Sequence, residues 1–200
     1  MREIDFHEHV ASERADLFEC HDGGSTELEY LDLIWSFARV YKPKLILETG
    51  ALRGFGTVAL ARACQANKFG RVVSVEMMNN YVEETRVRVQ QAGLTQYVSM
   101  VEANTMDWLT QTDLEFGFAF FDSDLKLRCK EFEICLDRGL LKPGSLAAFH
   151  DTSRTRVQGG RPDPETQIFW TDFQRLLDSG RVKQYVEFPF SRGLVVAKVP

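Results

Sequence analysis

Short apolar runs at residues 45–47, 72–75, 98–101, 118–121 and 146–149 recur along the chain, with amphipathic segments between most of them. Runs this short and this continuous read as strands covered on both faces, which is the condition a parallel sheet imposes. The segments between them read as helices. "STELEYLDLIWSFARVY" offers Ser25 or Thr26 as an N-cap with acids in the first turn, and "NNYVEETRVRVQQAGL" stops at Gly93. Each helix falls where a right-handed crossover needs one. The expected fold is therefore α/β, a Rossmann-like doubly wound sheet with helices on both faces.

After Phe149 the pattern changes. "TSRTRVQGGRPDPET" is polar, with prolines and adjacent glycines and no apolar face, and it predicts a mobile loop over the end of the sheet. "QIFWTDFQRLLDSG" reads as a further helix, and "VKQYVEFPF" and "RGLVVAKV", joined through Ser191 and Arg192, read as a closing hairpin. With 200 residues and 44% hydrophobic content, a single domain with one substantial core is expected over residues 1–200. Within it, 1–43 form an N-terminal helical segment on the substrate side, 44–152 a binding core, 153–165 the loop, and 166–200 the last helix and hairpin.

The net charge of −5 offers no broad cationic surface for nucleic acid or anionic lipid. The four cysteines (Cys20, Cys64, Cys129 and Cys135) are scattered without CxxC spacing, as in a reducing compartment. The N-terminus carries charges where a signal peptide needs an apolar run, and no window reaches transmembrane length. A soluble cytoplasmic protein with no nucleic acid or membrane partner is expected.

In such a sheet, ligands bind at the carboxyl ends of the strands, most often at the first strand-to-helix turn. That turn is "ETGALRGFG", with glycines at 50, 54 and 56. The spacing GxxxGxG departs from the GxGxxG of a dinucleotide site and counts against NAD. Glu48 at the strand end would accept a hydrogen bond from an ammonium group and repel a phosphate. Glu76, twenty residues after Gly56 at the end of "VVSVE", stands where an acid takes both hydroxyls of a ribose. Together they frame a nucleoside with a cationic tail. A branched side chain at Gly50 is expected to fill ligand space without unfolding the sheet.

From about residue 27 to 152 the chain resembles class I S-adenosylmethionine-dependent methyltransferases, above all the small O-methyltransferases of the catechol and caffeoyl-CoA type and their bacterial relatives. The stretches that carry the resemblance are "LILETGALRGFGTVALA", "GRVVSVEMMNNYVEETRVRVQQAGL", "FAFFDSD" and "LLKPGSLAAFHDT". It implies a seven-stranded sheet of order 3-2-1-4-5-7-6 with the last strand antiparallel. It also implies that Glu48, Gly50, Gly54 and Asp122 belong to the cofactor site, that Glu76 binds the ribose, and that Asn104 lies beside the adenine with Met77 as an apolar wall. Asn104 has a plain alternative as a helix cap, and Met77 and Trp108 as packing residues.

"FAFFDSD" ends in Asp122 and Asp124, and "SLAAFHDTS" in His150, Asp151 and Thr152. Neighbouring strands lie about 4.8 Å apart, so Asp122 and Asp151 can converge, and two carboxylates that close need a cation or a proton between them. Such oxygen ligands suit Mg²⁺, with Asp122, Asp151 and Thr152 as the candidate set. The resemblance places an asparagine where Thr152 stands and a lysine base where Leu125 stands, with Lys126 one position further on. His150 is the alternative base on chemical grounds, provided the strand has ended, because adjacent strand residues face opposite ways. His7, His9 and His21 lack metal-ligand spacing.

The leading expectation is methyl transfer from S-adenosylmethionine to a hydroxyl of a small-molecule acceptor, with Mg²⁺ assisting and a homodimer as one expected assembly. The same pocket would serve N-methylation, and a related fold transfers aminopropyl groups. An NAD-linked oxidoreductase and a non-catalytic nucleotide-binding protein are the competing classes. The arginines of "TRVQGGRPDP" could grip an anionic group on the acceptor.

Overall fold

A computed structural model describes residues 17–158 and 161–200. His7 and His9 lie outside the described residues, as does most of the N-terminal half of the expected 1–43 segment. The strands are β1 (Leu45–Thr49), β2 (Arg71–Glu76), β3 (Val98–Glu102), β4 (Phe116–Phe121) and β5 (Leu141–His150). They are followed by the short β6 (Val157–Gln158) and β7 (Arg161–Pro162) and by β8 (Gln184–Phe188) and β9 (Leu194–Lys198). The helices are α1 (Leu28–Tyr41), α2 (Phe55–Asn67), α3 (Asn79–Gln91), α4 (Thr105–Gln111), α5 (Arg128–Asp137) and α6 (Pro164–Asp178).

The main sheet has the order β3-β2-β1-β4-β5-β9-β8, and β6 and β7 form a separate two-stranded ribbon. Counted without that ribbon, this is the expected 3-2-1-4-5-7-6. β1 pairs parallel with β2 and β4, β2 with β3, and β4 with β5, while β9 runs antiparallel to both β5 and β8. Alternate residues of each strand feed opposite layers. Leu47, Ala119, Phe121, Ala147 and Phe149 face the side that includes Phe132 of α5 and Phe169 and Phe173 of α6. Ile46, Phe118, Phe120 and Ala148 face the side that includes Ile34 of α1 and Leu60 of α2. No described helix is long and apolar enough to cross a membrane.

The strand order reverses between β1 and β4, so the turn after β1 opens beside the end of β4. Gly50 has φ +79°, and a Cβ there would meet the Asp122 carbonyl oxygen at 2.5 Å and Ser123 Cα at 2.8 Å. Its constraint is therefore the backbone of the next strand, which corrects the expectation that a side chain at 50 would intrude only on a ligand. Gly54 has φ +80°, and a Cβ there would meet Thr85 of α3 at 2.8 Å, so this glycine seats α2 on α3.

Two local expectations change. Neither Ser25 nor Thr26 caps α1: the N-cap is Glu27, with no side-chain capping bond, because its carboxylate is engaged elsewhere. The 153–165 segment has anchors that its composition does not display. Ser153 Oγ donates to the Pro189 carbonyl at 2.8 Å, Arg156 pairs with Asp163 at 3.2 Å, and Asp163 caps α6 through the Glu165 amide. Arg154 lies 3.4 Å from the Trp170 ring centroid.

A Gly50→Ala variant should lose stability, by at least about 1–3 kcal/mol for a side chain forced to positive φ, before any ligand is considered. Urea unfolding of the ligand-free protein measures this. A variant as stable as the parent would show that the ends of β1 and β4 can separate.

Candidate active site

A cleft of about 370 Å³ lies above the carboxyl ends of β1, β2, β4 and β5, walled by Gly50, Leu52, Glu76, Met77, Met78, Tyr81, Asn104, Asp122, Arg128, Asp151 and Arg192 among others. A narrower recess shares Gly24, Gly50, Leu52 and Asp122 with it and runs down to Thr26, Glu48 and Gly56.

Glu76 closes β2 and is 7% exposed. Its Oε2 accepts from the Leu52 amide at 3.1 Å and its Oε1 from the Met78 amide at 2.9 Å. The carboxylate is thus fixed by two backbone donors at the cleft wall, with acceptor capacity to spare. Glu48 is different. It lies beneath the turn, fully buried, accepting from Ser74 Oγ at 2.6 Å and from Thr57 Oγ1. Burial pushes its carboxyl up to about 7, against those two hydrogen bonds and with help from the Asp122 and Glu76 charges. It reaches only the recess, not the main cleft.

Asn104 is the N-cap of α4, its Oδ1 accepting from the amides of Met106 and Asp107 at 3.0 and 3.3 Å, and it still lines the cleft. Met77 is 60% exposed on the same wall. Trp108 packs against Phe116 with ring centroids 6.4 Å apart and is an ordinary core contact. Gly54 lines neither cavity.

At the end of β5 the chain turns at once. His150 is the last strand residue and Asp151 takes φ +61°, which swings its carboxylate back toward the imidazole, 3.8 Å from Nδ1. A non-glycine residue held at positive φ is strained, and the ion pairs described next hold it there. His150 Nε2 lies 2.7 Å from Glu27 Oε2 and Nδ1 lies 3.0 Å from Asp122 Oδ1. With a carboxylate at each nitrogen, both ring nitrogens are donors and the ring is an imidazolium. Burial alone would lower its pKa, but Asp151, Asp122 and Glu27 outweigh that and raise it to about 9. Burial raises the Glu27 carboxyl, yet His150 and Arg192 together bring it down to about 2.

His150 is 1% exposed and absent from the cleft wall, so it has neither the access nor the free lone pair of the expected base. Lys126 is on the surface, paired with Asp124 at 2.8 Å and Glu165 at 3.4 Å, and these carboxylates raise its pKa. It too stands outside the cleft. His21 stacks on Phe55 with ring centroids 4.2 Å apart, on a different face.

Asp122, His150 and Asp151 do present ligand atoms within 4.8 Å of one another, as the expected metal centre requires. The cation that joins them is Arg128, which sequence reasoning missed. Its Nη2 lies 3.1 Å from Asp122 Oδ1 and 3.1 Å from Asp151 Oδ2. Asp151 Oδ1 accepts no hydrogen bond of good geometry, but Arg156 Nη1 and Arg192 Nε stand 3.2 and 3.6 Å away. Burial raises the Asp151 carboxyl, and His150, Arg128, Arg192 and Arg156 hold it well below the usual range. Thr152 Oγ1 is buried without a partner, and this hydroxyl is a weak substitute for an amide ligand. The donor set does not fit a divalent ion, because its two aspartates are already paired with the guanidinium groups of Arg128, Arg156 and Arg192.

The glycine turn, the Glu76 carboxylate at the cleft wall and the strand order together match a known pattern. Residues 47–152 match a family described as a methyltransferase domain. The chain belongs to that family. Its relatives include the catechol O-methyltransferase of Mycobacterium tuberculosis, 36% identical over 88 residues that cover 44% of this chain and 39% of the relative. A probable O-methyltransferase of the same organism is 34% identical over 126 residues, 58% of this chain and 52% of the relative. The chain thus spans about half or less of the length of these relatives. Among solved structures, the Bacillus cereus O-methyltransferase in complex with SAH superposes with a TM-score of 0.76 at 22% identity, covering 90% of this chain and 84% of that one. The O-methyltransferase TomG of Streptomyces achromogenes in complex with SAM gives 0.72 at 21% identity, covering 94% and 86%. At these identities the superpositions show the fold.

The charge cluster sets a pH dependence. A histidine with a folded pKa near 9 against 6.5 contributes stability that is complete below about pH 6.5 and is lost as pH rises through 9. Glu27, depressed to about 2 from 4.5, contributes above pH 4.5 and loses that contribution as pH falls through 2. Glu48, raised to about 7, favours the fold below pH 4.5 and loses that between 4.5 and 7. Stability should therefore be greatest near pH 4.5, decline gently to pH 7 as the Glu48 contribution is lost and fall further toward pH 9, the His150 share being on the order of 3 kcal/mol. Urea midpoints measured across that range test it. A flat profile between pH 6.5 and 9 would mean that His150 is not the imidazolium that its two carboxylate partners imply.

Proposed function

We propose that this chain is an S-adenosylmethionine-dependent O-methyltransferase acting on a hydroxyl of a small-molecule acceptor. The observation that carries the reading is the Glu76 carboxylate, oriented by two backbone amides into a cleft that opens at the turn after β1, in a chain of the methyltransferase-domain family. The named O-methyltransferases among its relatives support oxygen as the acceptor atom.

The cofactor, when bound, would supply a methyl group on sulfonium for transfer to the acceptor oxygen, the C–S electron pair returning to sulfur and the hydroxyl proton passing to solvent. The chain positions the partners. Glu76 would accept from the ribose hydroxyls, and Met77, Met78 and Tyr81 would provide the wall for a base, beside Asn104. Asp122, whose Oδ2 accepts from Thr26 Oγ1 at 2.8 Å, offers its carboxylate to a cationic amino group at the mouth of the recess. Glu48, near neutral beneath that recess, sets the polarity of its floor. Arg192 and Asp151 stand on the acceptor side of the cleft, and the positive groups around them favour an acceptor oxygen that is shedding its proton.

Glu76→Ala should weaken S-adenosylhomocysteine binding by about one to two decades, the worth of hydrogen bonds to a charged acceptor. Calorimetry of the folded variant beside the parent tests it, with NADH as the control ligand. An unchanged dissociation constant, or tighter binding of NADH by the parent, would sink the reading.

A further inference from the structure

We propose that Arg128 is the resident cation of this site, a positioning residue that takes the place of a divalent metal between Asp122 and Asp151 and leaves the site metal-independent. The catalytic consequence rests on the methyl-transfer reading above; the arrangement of charge does not.

The first support is occupancy. Asp122 Oδ1 faces Arg128 Nη2 at 3.1 Å and His150 Nδ1 at 3.0 Å, and Asp122 Oδ2 accepts from Thr26. Asp151 Oδ2 faces Arg128 Nη2 at 3.1 Å, and Asp151 Oδ1 faces Arg156 and Arg192. Every carboxylate oxygen of the pair already faces a donor or a cation, so an ion would have to compete with these partners for its ligands.

The second is the immobility of the guanidinium. Arg128 begins α5 with its side chain only 3% exposed. Its Nε and Nη2 donate to the Ser123 carbonyl at 2.9 and 2.6 Å, and its Nη1 donates to the His150 carbonyl. A metal could enter only by displacing a buried arginine and breaking its hydrogen bonds to two backbone carbonyls, a costly loss.

The third is charge. Asp122, Asp151 and Glu27 face Arg128, His150, Arg156 and Arg192, while Asp163 takes the other side of Arg156. Three guanidinium groups thus already answer the two aspartates, and a further two charges at the centre would be unbalanced. Mg²⁺ also demands near-ideal octahedral oxygen geometry. The Thr152 backbone oxygen, next in sequence to Asp151, already accepts from Trp170 Nε1 at 2.8 Å.

The consequence for the reaction is that any cationic donor beside the acceptor oxygen would belong to the chain itself, Arg192 on the cleft wall above all, and not to a bound ion. Arg128 acts through the two carboxylates it joins, fixing the Asp122 carboxylate toward the cleft and the Asp151 turn beside it.

The test is Mn²⁺ binding by the full chain after EDTA treatment, followed by electron paramagnetic resonance, with thermal unfolding in parallel. Wild-type protein should bind no stoichiometric Mn²⁺ up to millimolar concentration, and its Tm should not respond. Arg128→Met should acquire one equivalent of bound Mn²⁺ and a Tm that rises with the ion, both lost when Asp151→Asn is added. A folded Arg128→Met that ignores Mn²⁺, or a wild type that binds one equivalent and loses it in Asp151→Asn, would overturn the proposal. Should Arg128→Met not fold, Thr152→Asn decides: it supplies the amide ligand while keeping the guanidinium, and it should still bind nothing. Stoichiometric binding there would show that Arg128 is no barrier. Failure of S-adenosylhomocysteine to bind would remove the methyl-transfer reading and leave this result unchanged.

Discussion

Two carboxylates at the ends of adjacent parallel strands repel each other, and the carboxyl end of this sheet is arranged around that repulsion. Asp122 follows β4 and Asp151 follows β5, and the guanidinium of Arg128 spans them at 3.1 Å on each side. The same arginine ties the start of α5 to the Ser123 and His150 carbonyls. Through His150 the network reaches Glu27 at the head of α1, and through Glu27 it reaches Ser191 and Arg192 in the turn between β8 and β9. Segments separated by more than a hundred residues in sequence are thus joined by one set of opposite charges. Buried ion pairs of this kind contribute less to net stability than to holding one arrangement, because desolvation offsets much of their attraction, whereas deleting one partner strands the rest.

The backbone of the fold was legible in the sequence. Strands buried on both faces must be apolar along their whole length, and those runs stood out at β1, β2, β4 and the second half of β5. The turn after β1 and the acid ending β2 were visible for the same reason: each follows directly from the end of a recognisable strand. Their detailed roles were not. Gly50 and Gly54 have positive φ, but the atoms that crowd them belong to Asp122, Ser123 and Thr85, contacts that exist only once the sheet and α3 are assembled.

The charge cluster was legible only as a need. Two converging aspartates signal that a cation must come from somewhere, but nothing local marks Arg128 as that cation, since an arginine opening an amphipathic helix ordinarily points to solvent. Glu27 was hidden in the same way. Ser25 and Thr26 have the better capping chemistry, yet Glu27 occupies the cap position and turns its carboxylate to His150, 123 residues away. In the 153–165 segment the anchors are side chains that read as solvated: Ser153, Arg154, Arg156 and Asp163. Each reads as surface by composition and becomes a tether by position.

The close approach of Gly50 to the Asp122 carbonyl has a consequence for inheritance. The floor of the cleft at that point is peptide backbone from two strands, and a peptide group is the same whatever residue carries it. Substitution can therefore change most of the surrounding side chains while leaving this part of the ligand-facing surface intact, provided position 50 stays without a Cβ. Two chains can drift until most of their residues differ and still present the same floor, whereas the walls, made of side chains such as Arg192 and Met77, diverge freely. Selection for a new acceptor would act on the walls, and selection for the shared part of the site would act on a single hydrogen atom.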